Sequence, residues 1–235
     1  MQAMLEGAVD EVYSAFARRR RPTAIDYCSH CVGPDEVGRL LAAEPLREIP
    51  AETLRFYAVD VLSTAGSVAD FRYYLPRILQ IAVSDGFDGW PDHDVVIGKL
   101  VLAAWRGWPA QEQQAVSAFL HAWWRTTLSR FPADPGAEEL LGAIGRVEDD
   151  LGPYLRAWEA ALATRAGASH LLEFVGANFG RRGTRYWLHT RGWPDTATAT
   201  VRAWLGDLSG TVAATAEAVT DEETFDVLLE LLDLL

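Results

Sequence analysis

The stretch LEGAVDEVYSAF, residues 5–16, places its apolar side chains at Leu5, Ala8, Val9, Val12, Tyr13 and Phe16. That is the i, i+3, i+4, i+7 spacing of one helical face, and it runs until the Arg18–Arg21 series and Pro22 end it. The same period recurs along nearly the whole chain. Pro34, Pro50, Pro109, Pro135, Pro153 and Pro194 each precede an amphipathic run, a position where proline loses no intrahelical hydrogen bond. Thr220 and Glu223 have capping-box spacing ahead of Phe225, Leu228, Leu229, Leu232 and Leu235. Pro76 falls inside the run Val68, Phe71, Leu75, Ile78, Leu79, Ala82, which predicts two helical pieces or one bent helix. Strict alternation is confined to Thr196–Val201, and Trp193-Pro194-Asp195 before it reads as a helix start. The expected fold class is all-α.

The tripeptide Gly-Trp-Pro occurs at 89–91, 107–109 and 192–194. The last two lie 192 − 107 = 85 residues apart, about twice the 40–47 residue period of helical-pair repeats. Short connections then suggest stacked antiparallel helix pairs, an irregular HEAT-like solenoid, with a compact globular bundle as the alternative. Either is read as one domain over residues 1–235, with a soft division near 131–136. In the bundle reading each Trp plugs the start of the helix that follows it.

The 235 residues carry 33 acidic and 21 basic side chains, a formal charge of −12. Neutralising phosphates needs a surplus of Lys and Arg, so a nucleic-acid or anionic-membrane binder is not expected. With 49 % hydrophobic and 23 % charged residues the chain has the composition of a packed globular protein, not a disordered one. No run of 18 apolar residues occurs, and Glu6, Asp10 and Glu11 occupy the region where a signal peptide is basic and then apolar. A cytoplasmic location is expected. Two cysteines exclude a disulfide framework.

Three clusters carry chemistry. Cys28, His30 and Cys31 sit in a loop between Pro22 and Pro34, where a Cys-x2-Cys pair offers two thiolates to one metal and His30 a third ligand. Zinc would need a fourth group from His93, His121, His170, His189 or an acid. The same spacing serves dithiol redox chemistry, although that motif ordinarily opens a helix beside a parallel strand. Half-buried loop residues with no chemistry are the plain alternative. The second cluster interleaves Arg181, Arg182, Arg185 and Arg191 with Tyr186, Trp187 and Trp193, and His189 lies among them. Guanidinium and aromatic groups together suit an anion or a protein partner. An internal pairing with the acidic C-terminal stretch, which has no basic residue after Arg202, explains the same residues. Third, Asp92-His93-Asp94 and Glu148-Asp149-Asp150 read as capping residues. There is no Gly-x-Ser-x-Gly elbow, phosphate loop or dinucleotide fingerprint, so no catalytic residue is assigned.

Cys28-Ser29-His30-Cys31, Pro45-Leu46-Arg47-Glu48 and Asp70-Phe71-Arg72-Tyr73-Tyr74-Leu75-Pro76-Arg77 together resemble an uncharacterised family of bacterial all-helical proteins with an N-terminal Cys-x2-Cys loop and an Asp-Phe-Arg, Leu-Pro-Arg segment. The resemblance covers about residues 25–80, a third of the chain. It implies an all-helical fold and no particular activity. Arg72 and Arg77, around Pro76, join the candidates for contact with an anion or partner. The expected function is a non-enzymatic helical protein–protein interaction module, of which an immunity or antitoxin-like protein facing a basic toxin domain is one version. Alternatives are a metal-binding protein using the Cys28/Cys31 loop, and an enzyme or binder of a small anionic ligand through Arg181–Arg191.

Overall fold

The structure is a computed structural model that describes residues 2–84, 86–182 and 185–235, without the side chains of Gln2, Arg181, Arg182, Arg185 and Tyr186. It is all-α, with twelve α-helices and one two-stranded hairpin among the described residues. Contacts divide the chain into two compact units, 2–120 and 121–235. No helix among the described residues is long and apolar enough to cross a membrane.

The first unit contains α1 (Gln2–Phe16), α2 (Pro34–Ala42), α3 (Ala51–Asp60), α4 (Val68–Ala82), α5 (His93–Leu102) and the first half of α6 (Ala110–Leu128). Helix α4 is central, with α1, α3 and α5 packed on it. Its start is a reciprocal box in which Ser67 Oγ accepts from the Asp70 N–H and Asp70 accepts from the Ser67 N–H. Pro76 lies within α4, which runs through it as one helix, so the expected split into two pieces does not occur. Phe71, Tyr74, Leu75, Ile78 and Leu79 are buried around it, and that packing outweighs the one backbone bond that proline forgoes. Trp108 plugs the start of α6, edge-on to Phe16 at 5.7 Å, with its ring N–H donated to the Ala103 carbonyl.

The second unit holds the rest of α6, α7 (Ala137–Val147), α8 (Gly152–Ala161), α9 (Arg165–Asn178), the strands β1 (Phe179–Arg182) and β2 (Arg185–Leu188), α10 (Asp195–Asp207), α11 (Ser209–Ala218) and α12 (Glu222–Leu234). Helix α9 is its axis, with α7, α8 and α12 against it. The core is aromatic: Trp158 lies fully buried between Trp124, Phe174 and Trp204. Trp193 plugs the start of α10, stacked on Phe174 at 5.9 Å and close over Gly142. Trp90, by contrast, stands 52 % exposed. Helix α12 is capped one residue later than its sequence suggests, by Asp221 accepting from the Thr224 N–H at 2.9 Å. A carboxylate there gains from the helix dipole as well as from the hydrogen bond, and the Thr224 hydroxyl, which also donates to Asp221, together with that N–H holds it below the usual carboxylate range.

Several helices adjacent in sequence pair, as α2 with α3, α8 with α9 and α11 with α12. Helices far apart in sequence also pair within each unit, α1 with α4 and α9 with α12. Such pairings within each unit also fit the compact-bundle alternative, since a regular solenoid buries each repeat only against its neighbours.

The hairpin is the element the sequence reading lacked. Residues 179 and 180 read as a helix stop, and Phe179 is indeed the C-cap of α9, but the chain continues as a strand with Phe179 opposite Leu188 and Gly180 opposite Trp187. The Trp187 ring covers Gly180 so closely that a Cβ there would clash, which is how a cross-strand aromatic compensates for a strand glycine.

Candidate functional site

In the second unit, a cleft of about 370 Å³ opens where the start of α7 faces α9. His170, on α9, is its deepest polar group, 2 % exposed. The ring nitrogen Nε2 lies 3.1 Å from the Thr127 carbonyl and 2.7 Å from the Arg130 carbonyl, both at the end of α6. A carbonyl only accepts, so Nε2 carries the hydrogen and, in the neutral ring, Nδ1 is a bare acceptor. Nδ1 is buried and has no partner. The Phe131 ring stands edge-on to the imidazole at 4.9 Å, which excludes water from that side.

Three carboxylates join His170 along the cleft: Glu138, Glu139 and Glu173. Glu139 is accounted for by the fold, because it accepts from the Gly136 N–H at 3.2 Å and closes the start of α7. Glu138 accepts from the Asn178 amide at 2.8 Å, a neutral donor that leaves its charge uncompensated. Glu173 is exposed on α9. Pro132, Ala133, Phe174 and Ala177 supply an apolar wall, and among the described side chains no Lys or Arg lines the cleft. Carboxylates on a cleft with no described basic side chain suit an organic cation with N–H donors. Among the described residues no three His, Cys, Asp or Glu side chains group as metal ligands.

The residues singled out from the sequence lie elsewhere. Cys28 and Cys31 are free thiols at the two ends of one turn, Cys31 exposed, with His30 exposed between them. Arg72 grips Glu112, its Nε 2.9 Å from Oε2, while Arg19 holds the other carboxylate oxygen through its Nε at 2.7 Å. Glu112 is 3 % exposed, and the Arg72 guanidinium also lies 5.2 Å from the Trp108 ring centre. Arg77 donates to the Ile49 carbonyl at 2.8 Å and to Gln80 at 2.9 Å. Both arginines flanking Pro76 are thus engaged inside the first unit. The side chains of Arg181, Arg182, Arg185 and Tyr186 lie outside the described residues. Trp187 and Arg191 are exposed, whereas Trp193 is a packing residue.

Among the other histidines, His121 is stacked on Tyr154 at 4.0 Å, and burial pushes its pKa down. His170 was legible only as one of several potential fourth metal ligands. No sequence signal could bring it together with Glu138 and Glu173, since the cleft depends on how α7 lies against α9. No family model matches the chain, and no curated protein or solved structure matches it significantly.

Proposed function

We propose that the chain is a non-enzymatic helical interaction module, and that the cleft over α7 and α9 takes a Lys or Arg side chain from a basic segment of a partner protein. One observation carries this reading: Glu138 and Glu173 line one cleft with His170, and no Lys or Arg among the described side chains joins them there. The positive charge of a guanidinium or ammonium group answers those carboxylates, and its N–H groups donate to them. Two features of the same unit agree. Residues 203–235 hold eight acids and no Lys or Arg. Helix α12 packs inward through Thr224, Leu228 and Leu231 yet exposes Phe225 and Leu229, one turn apart, with Asp226, Glu230 and Asp233 exposed around them. An apolar pair framed by acids favours a basic amphipathic segment. A bacterial, cytoplasmic immunity-like protein that masks a basic toxin domain is the specific version of this role.

Ring-nitrogen NMR on histidine-labelled protein tests it, with N-acetyl-arginine methylamide as probe and its neutral citrulline counterpart as control. The arginine probe is expected to move the His170 Nδ1 resonance to saturation with Kd on the order of 1 mM, about −4 kcal/mol. Glu173→Gln and added salt should both weaken it. No saturable shift, or an equal shift with citrulline, refutes the reading. A photo-crosslinker replacing the exposed Ala177 should map in vivo to a segment bearing Lys or Arg, and mapping to a segment with neither also refutes it.

A further inference from the structure

The turn at residues 28–31 belongs to the first unit and has no part in the cleft. Its backbone is closed by the Cys31 N–H donating to the Cys28 carbonyl at 2.9 Å, with the Val32 N–H on the same oxygen at 3.0 Å. An i to i+3 turn of this kind holds its end Cα atoms within about 7 Å, the range a disulfide spans. The turn is also held in place from outside. The Cys28 N–H donates to the Thr64 carbonyl at 2.8 Å, Tyr27 pairs with Ala65 as an antiparallel bridge, and the Gly66 N–H donates to the Asp26 carbonyl at 2.7 Å. Segment 61–66 is therefore a backing strip that presents both thiols in a fixed register.

The two sulfurs are not equivalent. The backbone N–H of His30 points at Cys28 and the Cys31 thiol donates to it, and both lower the Cys28 pKa. That same thiol hydrogen bond pushes Cys31 up. No arginine or lysine is needed for the difference, which comes from turn N–H groups directed at one sulfur. Two thiols at the ends of one anchored turn, which among the described residues form no group of three metal ligands even with His30 between them, are placed for bond formation between themselves.

We propose that Cys28 and Cys31 form a dithiol exchange site that is oxidised by a low-molecular-weight disulfide. The Cys28 thiolate attacks one sulfur of the incoming disulfide RSSR. The S–S bond of RSSR breaks, one RS⁻ leaves and takes up a proton, and a Cys28–S–S–R mixed disulfide remains. Cys31 loses its proton to solvent and attacks the Cys28 sulfur, forming the intramolecular bond and expelling the second RS⁻, which is protonated in turn. The protein gives up two electrons and two protons, and RSSR becomes two RSH. Cys28 is the attacking thiol and Cys31 the resolving one.

Oxidised glutathione in defined ratios to reduced glutathione is the probe, read by acid quench, alkylation and intact mass on the full chain. The wild type is expected to lose two hydrogens and protect both thiols, without accumulating a glutathione adduct. Cys31→Ser should instead trap one glutathione on Cys28, and Cys28→Ser should react about tenfold more slowly. Cys31 is exposed and Cys28 half-buried, and unchanged helical circular dichroism will show that the variants fold. Glutathione retained separately on each cysteine, thiols that stay freely alkylatable in excess oxidised glutathione, or stoichiometric zinc that blocks the reaction would each overturn the proposal.

Discussion

Replacing Glu112 with Gln removes one buried charge and leaves two guanidinium groups facing a neutral amide. The carboxylate sits in the first turn of α6, with Arg19 on Oε1 and Arg72 on Oε2, and it is 4 % exposed. Breaking a buried ion pair from one side costs about 3–5 kcal/mol, because the remaining charge stays desolvated. The two arginines do not suffer equally. The Arg19 side chain is 31 % exposed and can rehydrate, whereas Arg72 is 16 % exposed and held over Trp108. Most of the cost therefore falls on Arg72, and Glu112→Gln should lie near the lower end, about 3 kcal/mol. For a chain of this size that is a fall in Tm of roughly 6–12 °C. Arg19→Met should cost only about 1–2 kcal/mol, since one carboxylate and one guanidinium still balance. Glu112→Gln with Arg72→Met should cost less than the sum of the two singles by at least about 1 kcal/mol. Urea unfolding followed by circular dichroism measures all four. A Glu112→Gln variant within about 1 kcal/mol of wild type, or strict additivity in the double variant, would refute the reasoning.

Two further outcomes follow from the packing. Tyr57 and Tyr74 are fully buried edge-on at 5.0 Å, their hydroxyls have no partner, and burial raises both pKa values; Tyr13 is likewise pushed up to about 12. In the unfolded chain these phenols ionise near pH 10 while the folded chain keeps them protonated, so their contribution is full below about pH 10 and is lost above it, at up to about 1.4 kcal/mol per pH unit for each. Lys99, lowered by burial, works the other way up to its ordinary value of 10.5. Thermal melts should decline above about pH 10, and Tyr57→Phe or Tyr74→Phe should flatten the decline with no loss at neutral pH; a profile unchanged by either substitution contradicts this. Gly142→Ala would bring a Cβ to 2.3 Å from the Trp193 ring nitrogen, unseating its stack on Phe174 at a cost of about 1–3 kcal/mol. A melt equal to wild type would show that Trp193 is not the plug of α10.

Helical period and proline placement were readable because both are local. Pro34 and Pro153 stand in the first turns of α2 and α8, and Pro50 and Pro194 at the caps of α3 and α10. The hairpin was hidden because Tyr186-Trp187-Leu188 is too short a run to show alternation, and the one short-range signal was Gly183 between two Arg-flanked segments. Trp193 looked like part of a binding surface because it neighbours arginines in sequence. Its partner Phe174 lies on α9, a relation no local pattern encodes. Glu112 carries no local signal beyond an acid in a first helical turn, and nothing near it in sequence shows that Arg72 from α4 and Arg19 from the chain after α1 converge on it.

Chemical richness in the sequence and unmet chemical demand in the fold turn out to be different properties. Arg72 with Trp108 has the make-up of an anion-binding pair, yet its guanidinium meets a carboxylate forty positions along the chain, so a ligand there would have to displace a buried ion pair. His170 lies in an ordinary apolar run, yet its Nδ1 meets nothing. A ligand gains most free energy where it satisfies a group that folding has already stripped of water, because that desolvation cost was incurred before binding. By that criterion Arg72 and Arg77 are poor candidates, their guanidinium groups being already engaged, and the cleft of His170, Glu138 and Glu173 is the stronger one. The same criterion favours a cation at the proposed cleft, because among the described side chains lining it Glu138 and Glu173 carry charge that no Lys or Arg answers.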